Sequence, residues 1–201
     1  MKRSLLLLLC LVSISSSVQA QGITIGVGIG GALPQGGRFN EFWLPGPALE
    51  ANVGYMLTPS FGIQARAGYN LFSLNQDAVL TAAQAGGPDI ALFGGGADIK
   101  TVMVDALFYL SEIGPVQPFV LFGLGYFDPT IEGVIVIFTN NQVRTISPIE
   151  ENRAGILMGA GMAFPVSNHF AVTVEGRYHS ALAEAGRRIG HIPITFGIQY
   201  R

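Results

Sequence analysis

The stretch from Ala48 to Asn70 reads ALEANVGYMLTPSFGIQARAGYN, and both of its halves alternate. In the first half Leu49, Ala51, Val53, Tyr55 and Leu57 share one parity, and Glu50, Asn52 and Gly54 the other. In the second half Phe61, Ile63, Ala65, Ala67 and Tyr69 oppose Gln64, Arg66, Gly68 and Asn70. A side-chain period of two belongs to a β-strand. Thr58-Pro59-Ser60 between the halves reads as a turn. The segment is therefore an antiparallel hairpin with arms of about ten residues, the length that crosses a bilayer at a tilt of about 45°.

Composition agrees. The chain has 201 residues, room for one domain; 49% are apolar, only 12% are charged, and 27 are glycine. Beyond the N-terminus no apolar run approaches the roughly 18 residues of a spanning helix. Apolar content on this scale without helical spans points to spanning strands.

The N-terminus, MKRSLLLLLCLVSISSSVQA, has a basic start at Lys2 and Arg3, an apolar stretch from Leu5 to Ile14 and a small-residue cleavage pattern at Val18-Gln19-Ala20. We read residues 1–20 as a secretory signal and residues 21–201 as the barrel domain. The only cysteine, Cys10, lies inside that signal, so the mature chain is expected to carry no disulfide and no cysteine metal site. Without Lys2 and Arg3, nine basic residues face 13 acidic ones, a net of −4 that gives no footprint for nucleic acid.

In order, strands are expected at about 23–33, 48–57, 61–70, 97–110, 117–126, 152–164, 170–179 and 192–201. The first contains G-x-G-x-x-G at Gly26, Gly28 and Gly31. A dinucleotide site needs those glycines between a strand and a helix. Here they lie within the strand, as small inward residues of a narrow barrel. Residues 34–46, 74–96, 127–151 and 180–191 are long connections; a short helical turn is expected at Ala78–Gln84. GVIVIF and QVRTI around Asn140-Asn141 read as a hairpin extending beyond the membrane.

Eight strands with alternating long and short connections give an all-β, up-and-down transmembrane barrel with short periplasmic turns and long external loops. An even count lets the first and last strands pair, which removes the sheet edges. Aromatic residues should mark both lipid interfaces. Tyr55, Phe61, Phe108, Phe164, Phe170 and Tyr200 fall near periplasmic strand ends, and Tyr69, Tyr126 and Tyr178 near external ends, all on the apolar parity. A soluble lipocalin-like barrel would invert that pattern and place the apolar residues inside.

The signal, the arm PSFGIQARAGYN, the strand PFVLFGLGY, VEGRYH and the closing FGIQY together resemble the small eight-stranded outer-membrane barrels related to OmpA and OmpX. The resemblance implies a bacterial outer-membrane location. It also implies outer-membrane lipid, lipopolysaccharide and the barrel assembly machinery as partners. The family usually closes on an aromatic residue; here Tyr200 is followed by Arg201.

The inward parity carries Glu50, Arg66, Asp105, Glu175 and Arg177. Charges under a lipid belt must be paired or wet. An eight-stranded barrel is just wide enough to be filled by side chains. These five residues are therefore expected to form an ion-pair network that plugs the lumen; rearranged, the same pairs would gate a narrow pore. His179 and Ser180 invite comparison with barrel enzymes that cleave lipid A acyl chains, with Glu184 as a conceivable acid. Adjacent strand residues point to opposite faces, which separates His from Ser. His169 and His191 show no ligand spacing with His179, so no metal site and no cofactor are expected. Phe39, Phe42 and Trp43, with Val134, Val136 and Phe138, are candidates for an apolar interaction surface on the loops.

The expected function is that of a small non-enzymatic outer-membrane barrel, serving envelope integrity or surface interaction. A narrow channel for small or hydrophobic solutes comes second, and a lipid A acyl hydrolase third.

Overall fold

A computed structural model describes residues 22–82, 91–110, 115–137, 143–147, 149–150, 152–182 and 189–201. The expected signal, residues 1–20, together with Phe138 and Glu184, lies outside these described residues.

Eight long strands carry the fold: β1 (Ile23–Gln35), β3 (Gly46–Thr58), β4 (Phe61–Leu74), β6 (Ala97–Tyr109), β7 (Gln117–Ile131), β11 (Arg153–Pro165), β12 (Phe170–Ala181) and β13 (Gly190–Tyr200). Each pairs antiparallel with its successor. The ring closes where β1 meets β13, with Ile25 opposite Tyr200 and Gln35 opposite Gly190. Closure leaves no barrel edge whose backbone groups would face lipid unpaired.

The parity holds around the ring. Ile29, Leu124, Val102 and Phe196 project outward and are exposed, whereas Arg66, Asp105, Thr195 and Gln199 are buried inside. The inverted, lipocalin-like arrangement is thereby excluded. All nine aromatic residues assigned to the two girdles stand on the outer parity. Phe61 packs on Phe108 with ring centroids 4.8 Å apart, and Phe170 meets Tyr200 edge-on at 5.4 Å.

The external connections hold more structure than expected. Residues 34–46 contain a helix, α1 (Gly37–Phe42), and a short strand, β2 (Trp43–Leu44), which pairs with the end of β4. The helical turn is found as α2 (Gln76–Ala82), which begins two residues before the expected start; residues 83 and 84 of the expected turn lie outside the described residues. β8 (Val134–Ile137) and β9 (Val143–Ile146) form the anticipated hairpin, and a strand that was not anticipated, β5 (Ala91–Gly94), pairs with β8. The β6–β7 ladder runs into the β5–β8 ladder without a slip: Ala97 faces Ile131, and Gly94 faces Val134. Gly94 and Gly95 have φ of 81° and 79°, which glycine adopts without a Cβ penalty, and they redirect the arm. A two-residue strand, β10 (Ile149–Glu150), adds to the outer end of β7.

Candidate functional site in the lumen

The five inward charges sit on four strands but occupy one place. Arg66 lies at the centre. Its Nη1 is 2.9 Å from Glu50 Oε1, its Nε 3.0 Å from Asp105 Oδ2 and its Nη2 3.1 Å from Glu175 Oε2. Arg177 donates to both carboxylate oxygens of Glu50, and its Nη1 is 2.6 Å from Glu175 Oε2. Thr195 Oγ1 donates to Glu50 Oε1 over 3.1 Å, and Gln64 Nε2 to Asp105 Oδ2 over 3.3 Å. The charged side chains are only 0–8% exposed. Desolvating a charge costs several kcal/mol, and here each ion is offset by direct partners of opposite sign.

Glycine makes the room. Glu50 stands in register with Gly28 on one side and Gly68 on the other. Asp105 faces Gly123, Glu175 faces Gly161, and Arg177 faces Gly159. A Cβ on Gly28 would stand 2.9 Å from Glu50 Oε1, and one on Gly123 would overlap Asp105 Oδ1. Glu50, Asp105 and Arg177 thus lean into space left open by Gly28, Gly123 and Gly159, while the space over Gly161 is filled by Phe119 and Arg66 stands between Asn52 and Met103. This also accounts for two glycines of G-x-G-x-x-G: Gly26 and Gly28 are inward positions within β1, with Asn52 and Glu50 filling the space before them, whereas Gly31, also expected inside, lies on the exposed outer parity.

Two further layers flank the network. Towards the periplasm, Tyr109 donates to Gln199 Oε1 at 3.1 Å and packs against Phe119, and the Arg201 guanidinium lies over the Tyr109 ring. Towards the exterior, Phe39 stacks on Trp43 and meets Phe72 edge-on, and Trp43 Nε1 donates to the Gly95 carbonyl at 3.0 Å. Phe39 is only 5% exposed. The expected surface of Phe39, Phe42 and Trp43 is therefore corrected: Phe39 belongs to the buried core, and Phe42 and Trp43 are half-buried beside it. Apolar side chains within reach of the barrel mouth gain more by packing on Phe72 than by facing water. Val134 is half-buried on the external arm and the Val136 side chain lies outside the described ones; among those described there, Phe93 and Ile135 are exposed.

His179 points inward and Ser180 lies on the opposite parity, so the two make no nucleophile–base pair. His179 is buried, at 2% exposure. His191 was expected at the end of a loop; it lies within β13, directly opposite His179. Sequence spacing alone held no signal for that meeting. His169 is at the other end of the barrel, stacked on Tyr200.

A family model described as the outer membrane protein beta-barrel domain matches residues 4–198. The chain belongs to that family. This outer-membrane barrel also resembles solved structures. Neisserial surface protein A is 10% identical, with a TM-score of 0.60 over 91% of this chain and 99% of that one. OprG of Pseudomonas aeruginosa is 10% identical, with a TM-score of 0.52 over 90% and 96%. A major outer membrane protein of Thermus thermophilus is 15% identical, with a TM-score of 0.52 over 89% and 99%. At these identities the likeness is one of fold. No curated protein sequence matches the chain. The family and the fold place this barrel in the bacterial outer membrane.

Proposed function

We propose that this protein is a closed, non-enzymatic outer-membrane barrel that supports envelope integrity or surface interaction through its external loops. The observation that carries the reading is the Arg66-centred network, whose ion pairs cross the lumen between β4 and β12. The aromatic cap of Phe39, Phe72 and Trp43 closes the external side of the same lumen. Lipid, lipopolysaccharide and the assembly machinery are its partners in this reading. The opposed parities of His179 and Ser180 weigh against acyl hydrolysis.

Proteoliposome swelling in small sugars and amino acids, with mass analysis of lipid A from expressing cells, tests it. The proposal expects no swelling above empty vesicles and unchanged lipid A. Swelling would favour the channel, and a lost acyl chain the hydrolase.

A further inference from the structure

The His179–His191 pair has a role that the network does not absorb. The β12–β13 ladder is interrupted beside Pro193, which has no N–H, and resumes in the same register with His179 against His191. Both side chains enter the lumen one layer outside Arg177. Their ring centroids are 4.6 Å apart with planes at 60°. Phe127 lies edge-on to both, at 5.8 Å and 6.2 Å, and Phe72 to His191 at 6.0 Å. The two imidazoles are 2% and 0% exposed, and among the described residues none of their four nitrogens has a hydrogen-bond partner. A buried polar nitrogen without a partner is costly, on the order of 1–3 kcal/mol each. Four of them in one aromatic cage form an unfilled donor set.

We propose that His179 and His191 bind one divalent transition-metal ion of the copper, nickel or zinc class, with water completing its coordination. Neutral imidazole is the commonest protein ligand of these metals. With metal–nitrogen bonds of about 2.0–2.1 Å, ring centres this far apart suit two nitrogens placed cis on one ion. Among the described residues no third histidine or carboxylate joins the pair, and the proposal assigns the remaining positions to water. The nearest guanidinium along β12, Arg177, is engaged by Glu50 and Glu175, and the five-residue network holds three carboxylates against two guanidiniums. Bound there, the ion would tie β12 to β13 at the external end of the lumen.

The test uses the protein purified from membranes in detergent and titrated with Cu2+ under electron paramagnetic resonance. The proposal expects one Cu2+ per chain, with hyperfine coupling to two imidazole nitrogens. His179→Phe and His191→Phe, which suit the aromatic cage, should each weaken binding by about tenfold or more. His169→Ala should not change it. A native spectrum with fewer than two imidazole nitrogens would overturn the proposal, whether or not the variants fold. So would a site of unchanged affinity in the double phenylalanine variant.

Discussion

Arg66 and Glu175 meet across the full width of the barrel: their strands, β4 and β12, are four places apart either way round a ring of eight, yet Nη2 and Oε2 are 3.1 Å apart. Arg66 also holds Glu50 and Asp105, so a single guanidinium ties its own strand to three others of the wall.

Arg66→Ala leaves three buried carboxylates facing one arginine. Breaking a buried pair by removing one partner costs about 3–5 kcal/mol. The urea midpoint of the refolded barrel should fall further for this variant than for any single substitution in the external loops. An unaltered midpoint would count against the network.

Gly123→Ala places a Cβ against Asp105 Oδ1 and the Val104 carbonyl, whereas a Cβ on Gly176 meets nothing within 4 Å. Overpacking costs about 1–3 kcal/mol. Gly123→Ala should therefore destabilise the barrel while Gly176→Ala leaves it near neutral, read in the same urea titrations. Equal effects would mean that glycine is not there to make room.

Trp43 is the only tryptophan, so its fluorescence reports the cap alone. Phe39→Ala removes its stacking partner. Acrylamide should quench Trp43 more strongly in that variant, with the unfolding transition of the strands retained. Unchanged quenching would show that Phe39 does not hold the cap.

Leu124 is 68% exposed and sits midway along β7, facing lipid. Leu124→Arg should cost about 2–4 kcal/mol in bilayers, the penalty for an arginine at the midplane. Phe93→Arg, on the external arm, should cost little. The reverse order would invert the assignment of the outer face.

Much of this was legible in the chain. The parity of every barrel strand follows from a period of two, and the five lumen charges stand out because all share the glycine-rich parity. The pairing among them was not legible. Glu175 lies far from Arg66 in sequence, and only ring closure brings the two together. The partnership of Gly28 with Glu50, or Gly123 with Asp105, depends on register, which alternation along one strand does not define. β5 was missed because ALFG is short and flanked by glycines; its pairing with β8 is inherited from the β6–β7 ladder. α1 has six residues and is held by Phe39 packing onto the lumen, a tertiary contact that overrides weak local preference. His179 and His191 meet through the β12–β13 register, carried past Pro193.

The closed lumen is tested most directly by single-channel recording in a planar bilayer, native protein beside an Arg66→Ala, Arg177→Ala double variant. The native barrel should insert and stay silent, and the variant, where it folds, should show openings because the side chains crossing the lumen are gone. Steady conductance from the native protein would contradict the closed lumen and make this barrel a channel.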